Sequence, residues 1–95
     1  MNETQNTIGN WADKNFNTTI EMQCAKLREE VTEFEAEIEA NNLDKAAEEL
    51  ADVVVVAFGL AFLMGFSLLK AVNQKMIINR ARKWNKVGKV FRHVD

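Results

Sequence analysis

Hydrophobic residues recur along this chain at the spacing of helix faces. Between residues 20 and 38 they are separated alternately by four and three positions, which places them on one side of an α-helix. They are Ile20, Cys24, Leu27, Val31, Phe34 and Ile38. Further helices are predicted over about 7–15, from the loop at 40–44 to about Met64, and from Ser67 to about Asn85. We therefore expect an all-α fold with four helices and no sheet.

Turn signals mark the ends of the predicted helices. The loop "ANNLD" offers Asn42 or Asp44 as a cap for the third helix. Gly65 can take the left-handed conformation that ends this helix, and Ser67 can cap the fourth. Gly59 lies inside the third helix, where a glycine costs roughly 1 kcal/mol relative to alanine. We therefore expect another helix to approach closely at Gly59.

An uncharged run of 14 residues extends from Val53 to Phe66. A membrane span needs roughly 20 such residues, and Asp52 and Lys70 bound this run closely. A buried helix is therefore favoured over a membrane helix. A helix that is apolar on every side must be covered on every side, which three other short helices do not achieve. We expect a homodimer or homotetramer.

The composition points to one small domain, residues 1–95, with residues 1–6 and 86–95 flexible or peripheral. The single cysteine, Cys24, has no cysteine to pair with, which fits a reducing cytoplasmic compartment. The first ten residues lack the basic start and apolar run of a secretory signal. A cytoplasmic protein is expected.

Charge divides the chain into two halves. Residues 1–52 carry 13 acidic and 4 basic residues, a net charge of −9, whereas residues 53–95 carry 8 basic and one acidic, a net charge of +7. The overall value of −2 conceals this asymmetry, which indicates that the two halves have different partners or meet each other.

Four carboxylates are spaced to converge if the second and third helices pack antiparallel. Glu30 and Glu33 share a face at i, i+3, as do Glu49 and Asp52. Like charges held together at a partly desolvated site have raised pKa values or require a cation. Oxygen ligands of this kind suit Mg²⁺ or Mn²⁺. The alternative is a solvated acidic face, and this is the interpretation we accept for Glu21, Glu35 and Glu39.

The fourth predicted helix supplies the complementary charge. Lys75, Asn79 and Lys83 share one face, and Arg80 lies beside Asn79. Cations with an amide suit a polyphosphate. The alternatives are a solvated basic face or a nucleic-acid site, but the acidic half would repel a long phosphate backbone and no DNA-reading motif is found. A small phosphate-bearing anion, bridged to the carboxylates by a metal ion, accounts for both the acidic and the basic half of the chain. We expect no nucleic acid as a partner.

Three segments, "EEVTEF", "EELADVVV" and "KMIINRARKW", resemble the motifs of the all-α nucleoside triphosphate pyrophosphohydrolases of the MazG and dCTP pyrophosphatase type. That family has E-x-x-E on one helix, E-x-x-D on the next and K-M-x-x-N-x-R on the last. In this chain Arg80 directly follows Asn79, and Ala81 stands where this pattern has its arginine. The three segments follow in the family's order over residues 26–84. The resemblance implies a four-helix protomer that assembles as a dimer or tetramer. It also implies a Mg²⁺-dependent hydrolysis of (d)NTP to (d)NMP and pyrophosphate, which removes unwanted nucleotides from the cellular pool.

The family's functional residues carry over onto matching positions of this chain. The resemblance implies that catalysis and Mg²⁺ binding, with Mn²⁺ possible, fall to Glu30, Glu33, Glu49 and Asp52. It implies that the nucleoside triphosphate substrate is bound by Lys75, Asn79 and Arg80, by an aromatic wall at Trp11 or Phe16, and by Trp84. His93 lies in the tail and is expected to be incidental. Only 15 residues separate Glu33 from Glu49, which leaves little chain for a base-specific lid. The pocket is expected to be open or completed by a neighbouring subunit.

Two other functions fit parts of the sequence. A non-enzymatic assembly protein, in which the acidic second helix pairs with the basic fourth helix of a neighbour, explains the charge division equally well. It does not explain why the acidic pairs flank the apolar stripes. A related pyrophosphohydrolase that acts on a different nucleotide would differ only in substrate.

Overall fold

The computed structural model describes residues 2–94, which form four helices followed by one antiparallel hairpin. The elements are α1 (Gln5–Phe16), α2 (Ile20–Glu39), α3 (Leu43–Met64), α4 (Leu68–Ala81), β1 (Trp84–Val87) and β2 (Val90–His93). The all-α class and the four helices are confirmed. The expectation of no sheet is wrong, because the tail forms a two-stranded sheet.

Each helix begins at a side chain that caps its free backbone N–H groups. The capping oxygens belong to Thr4, Thr19, Asn42 and Ser67. Gly65 ends α3 in the left-handed conformation with φ of 80°, as the sequence predicted. Local capping chemistry of this kind is what allowed the ends of α3 and the start of α4 to be predicted.

The core lies along α3, which α2 and α1 both pack against. Its buried apolar residues are few and mostly small: Ala12, Ala46, Val56, Leu60 and Ala61. Gly59 is also buried and faces α2, where a Cβ would lie 2.9 Å from Gln23 Nε2. The close approach predicted at Gly59 is therefore made by a side chain of α2.

The face that α2 turns towards α3 differs from the predicted apolar stripe. The two buried residues of α2 are polar, Gln23 and Glu30. Three of the predicted stripe residues, Ile20, Val31 and Ile38, are exposed. Polar residues occupy the centre of the contact between α2 and α3, because this face of α2 forms the wall of a site that is described below.

The last helix, α4, projects away from the other three helices. The axes of α3 and α4 differ by 104°, and none of the described residues of α4 is buried. The Gln5 side chain holds the corner: its Nε2 donates to the Phe66 carbonyl at 2.7 Å, and its Oε1 accepts from the Leu68 N–H at 2.9 Å. Gln5 thus contacts the fold, although residues 1–6 were expected to be flexible or peripheral.

Among residues 2–94, no helix is by itself long and apolar enough to cross a membrane. Only α3 and α4 taken together reach that length and mean hydropathy, and the 104° bend separates them.

The hairpin corrects the predicted end of α4, which stops at Ala81 and not near Asn85. Val87 pairs with Val90 across a two-residue turn, and Gly88 has φ of 62°. A two-residue type II′ turn places glycine at this first position. The signal was an apolar-Gly-x-apolar sequence, and the favourable helix propensity of the preceding basic residues hid it. All the described strand residues are exposed. That residues 86–95 are flexible or peripheral stays a prediction.

The packing of α1 on α3 predicts a stability effect at Gly9. A Cβ at this buried glycine would overlap the Phe62 ring of α3. Replacing Gly9 by alanine should lower the free energy of unfolding by about 1–3 kcal/mol, because overpacking forces the ring or the helix to move. Urea unfolding measures the change. Asn10→Ala, at the exposed next position, is the control, and an equal effect of both variants would contradict the predicted overlap.

Candidate active site

Three carboxylates converge where α2 meets α3. Glu30 comes from α2, and Glu49 and Asp52 lie one turn apart on α3. One oxygen from each residue lies within 4.8 Å of the others. The i, i+3 spacing puts the two α3 carboxylates on one face, and the packing of the two helices adds the third. This is the convergence that the sequence predicted for Glu30, Glu49 and Asp52.

The centre of the cluster is desolvated. Glu30 is only 5% exposed, and its Oε1 lies 3.1 Å from Lys26 Nζ. As ionised carboxylates, Glu30 Oε2 and Glu49 Oε2 are buried with no hydrogen-bond donor among the described residues. A buried acceptor without a donor carries a desolvation cost. These two oxygens therefore have capacity for a proton or a cation.

The pKa values show where a proton would reside. A hydrogen bond shared with Glu30 raises the pKa of Glu49 to about 7, and burial adds to this effect. Burial alone would raise the pKa of Glu30, but hydrogen bonds with Lys26 and Glu49 outweigh it and the net pKa lies below its usual value. The shared proton therefore belongs to Glu49, and Glu30 stays ionised beside Lys26.

Glu33 takes a different position from the other three predicted carboxylates. It is exposed and is not part of the group whose oxygens lie within 4.8 Å. Its carboxyl is nevertheless close enough to Glu49 to contribute to the raised pKa of that group. Glu33 thus borders the cluster, and its predicted role as a ligand stays a prediction.

A cavity of about 420 Å³ opens beside the acidic cluster. Its acidic end is formed by Glu30 and Asp52, and its walls are largely apolar. Trp11 and Phe16 also line the cavity, edge to face with ring centroids 5.2 Å apart. The remaining lining residues are Ala12, Thr18, Met22, Gln23, Lys26 and Val56. A concave site with apolar walls and a few convergent polar groups is typical of small-molecule binding.

The predicted substrate residues of α4 do not line this cavity in the single chain. Lys75 and Arg80 are exposed. Asn79 is held locally, because its backbone carbonyl accepts a hydrogen bond from Trp84 Nε1 at 2.9 Å and its side-chain Nδ2 contacts Met76 Sδ. Trp84 also packs against His93, with ring centroids 5.9 Å apart. Of the predicted substrate residues, the cavity includes only the aromatic candidates Trp11 and Phe16.

Sequence reasoning overlooked part of the cavity wall. Gln23 precedes Glu30 by seven residues and so lies on the same face of α2. Lys26 also lines the cavity, where it forms an ion pair with Glu30 that the sequence did not predict. The only sequence signal was that Gln23 is a polar residue on the same helix face as Glu30. That this position is buried becomes evident only from the packing of α3 on α2.

Residues 18–84 match the MazG nucleotide pyrophosphohydrolase domain. The chain is 36% identical to the dATP/dGTP diphosphohydrolase of Salmonella phage PMBT28 over 90% of its own length, and 38% identical to the dATP/dGTP diphosphohydrolase of Cyanophage S-2L over 74%. The match spans 28% of the first protein and 64% of the second. The chain thus corresponds to only part of each relative.

A solved structure has the same fold along nearly the whole chain. It is the Cyanophage S-2L MazG-like pyrophosphohydrolase bound to dGDP and three catalytic Mn²⁺ ions per active site. The TM-score is 0.74 at 32% identity, covering 96% of this chain and 93% of that one. Together with the match over 18–84 and the acidic motifs on α2 and α3, this likeness shows that the chain belongs to the MazG nucleotide pyrophosphohydrolase family.

Proposed function

We propose that this chain hydrolyses deoxynucleoside triphosphates between the α- and β-phosphates to give the monophosphate and pyrophosphate. The observation that carries the proposal is the acidic cluster, with two donorless buried oxygens, at one end of an aromatic-walled cavity. The names of the two phage relatives and the dGDP of the solved neighbour favour dATP and dGTP as substrates.

The residues of the cluster fit Mg²⁺ or Mn²⁺. Three carboxylates from two helices offer oxygens within 4.8 Å, and hard divalent ions prefer oxygen donors. Glu30, Glu49 and Asp52 would hold the ions, with Glu33 at the border. A divalent ion bound there supplies charge neutralisation for the phosphates and lowers the pKa of a bound water.

The cavity walls orient the nucleotide relative to these carboxylates. Trp11 and Phe16 offer ring surface against which a base can pack, while Glu30 and Asp52 mark the phosphate end. Lys26 keeps a cation beside Glu30 and is in place to contact a phosphate oxygen. A carboxylate of the cluster accepts the proton of the attacking water.

We propose further that α4 of a neighbouring subunit completes the site. Lys75, Asn79 and Arg80 lie outside the cavity of their own chain, although the family motif assigns them to the substrate. The helix that carries them buries nothing and exposes large apolar side chains. These are Leu69, Val72, Met76, Ile77 and Ile78. A homodimer or homotetramer would cover these side chains and bring the basic groups to the phosphates.

The direct test is hydrolysis of a panel of ribo- and deoxyribonucleoside triphosphates with and without Mg²⁺ or Mn²⁺, with the products identified. Monophosphate and pyrophosphate are expected, only with metal, and fastest from dATP and dGTP. Monophosphate produced without metal would contradict the role of the cluster. No turnover of any nucleotide would favour an assembly protein instead.

The raised pKa of Glu49 predicts the pH dependence of metal binding. Because a metal ligand must be deprotonated, Mn²⁺ has to displace the proton that Glu49 retains below a pH of about 7. The affinity for Mn²⁺ should be constant above this pH and fall about tenfold per pH unit below it. Calorimetric titration in buffers of different ionisation enthalpy should show proton release only on the acid side. An affinity unchanged from pH 5.5 to 8 would contradict this prediction.

A further inference from the structure

Gln23 lines the cavity that the proposed function uses, yet neither the acidic motifs nor the aromatic pair includes it. It is only 7% exposed. Glu30 follows seven residues later on the same helix face, which corresponds to about 10 Å along the axis. This spacing leaves room for a sugar between a base at Gln23 and phosphates at Glu30.

The carboxamide of Gln23 has unused hydrogen-bonding capacity. Among residues 2–94 its side chain makes one hydrogen bond, from Nε2 to Thr18 Oγ1 at 3.4 Å, which is longer than the usual range. A primary amide offers two N–H donors and an acceptor oxygen with two lone pairs. Because Gln23 lines the cavity, a polar ligand bound there can use this remaining capacity.

Helix α3 leaves space for this amide at Gly59. A Cβ on Gly59 would lie 2.9 Å from Gln23 Nε2, closer than such contacts normally come. A glycine inside a helix costs roughly 1 kcal/mol relative to alanine, and α3 carries that cost directly opposite Gln23. The absent side chain provides the space in which the carboxamide lies.

We propose that Gln23 reads the polar edge of the substrate's purine base, with Gly59 as its positioning residue. This inference rests on the proposed function for the identity of the ligand. Adenine presents an amino donor beside a ring-nitrogen acceptor, and guanine presents a carbonyl acceptor beside a ring N–H donor. A carboxamide matches either pattern by turning over, so one side chain serves both purines. A pyrimidine carries its edge one ring closer to the sugar and does not reach it.

The test measures equilibrium binding of three nucleotides in the presence of Mn²⁺: dADP, dGDP and the 2′-deoxynucleoside diphosphate of unsubstituted purine. The unsubstituted base lacks the exocyclic groups but keeps the ring. The protein should bind it roughly 5- to 150-fold more weakly than dADP or dGDP, the range for one bidentate contact. In Gln23→Leu this preference should disappear, while binding of Mn²⁺ and of base-free tripolyphosphate stays unchanged.

Gly59→Ala provides a second variant that does not remove the amide. Its Cβ should displace the Gln23 side chain and reduce the preference for dADP and dGDP, although alanine raises helix propensity. A purely structural role of Gln23 would predict equal weakening of all three nucleotides and of tripolyphosphate, together with a lower thermal midpoint in Gln23→Leu.

Measuring pyrophosphate release from dATP and dGTP in the same preparations separates this inference from the proposed function. If Gln23→Leu keeps the preference while the unmodified protein releases pyrophosphate, the base-reading role is wrong and the proposed function stands. If the preference depends on Gln23 but no pyrophosphate forms, the base-reading role stands and the proposed function is wrong. If the unmodified protein binds none of the three nucleotides, the base-reading role is overturned.

Discussion

Replacing Glu49 by glutamine should reduce metal-dependent hydrolysis of dATP or dGTP by at least about 10²- to 10³-fold. Glutamine keeps the size of the side chain but removes the negative charge that a divalent ion requires. It also removes the residue on which the shared proton lies. Steady-state pyrophosphate release and Mn²⁺ titration should both show the loss.

The same substitution should not unfold the protein. The metal-free cluster holds like charges together on α2 and α3, so a neutral amide relieves repulsion there, and the thermal midpoint without metal should be unchanged or higher. Glu48→Gln is the matched control, because Glu48 is the exposed neighbour on the same helix. An equal loss of activity in both variants, or a lowered midpoint for Glu49→Gln alone, would show that the effect is structural.

Two inactive variants should restore activity when their subunits are mixed. Lys75→Ala is expected to lose about 10²-fold in turnover, because it removes a cation from the proposed phosphate site. If α4 acts on a neighbour, a mixed dimer of Lys75→Ala and Glu49→Gln chains has one site with both residues intact. Random mixing should then recover roughly a quarter of the original activity, since half of the dimers are mixed and half of their sites are complete.

The matched control mixes Glu49→Gln with Glu30→Gln chains. Both residues belong to the same cluster within one chain, so every site in such a mixture carries one defect and activity should not return. If the first mixture shows no recovery after proven subunit exchange, α4 and the cluster of a single chain belong to the same site. Recovery in the control would instead mean that Glu30 and Glu49 of different chains meet in one site.

The helix ends and half of the site follow from local sequence. Capping by Ser67 and the left-handed Gly65 involve only neighbouring residues, and the i, i+3 spacing of Glu49 and Asp52 fixes their common face. These features were predicted correctly because each depends on a few adjacent positions.

What the sequence did not predict depends on contacts between distant segments. The buried positions of α2 are Gln23 and Glu30, whereas hydrophobic periodicity selected a face of which Ile20, Val31 and Ile38 are exposed. Burial of polar groups runs against the usual rule and is maintained here at the cavity wall. If α4 completes a neighbouring site, the placement of Lys75 depends on assembly, which neither the sequence nor the single chain determines.

Helix α1 contributes to two separate parts of the structure. One end of this helix holds the corner from which α4 departs, while its other half carries Trp11 and Phe16 into the cavity. If α4 completes a neighbouring site, a nucleotide that shifts Trp11 would also move α1. Through Gln5, α1 contacts the corner before α4, the helix that contributes to the other subunit's site. Cooperativity between sites would then pass through α1, and loss of Gln5, which contacts no substrate, would uncouple them.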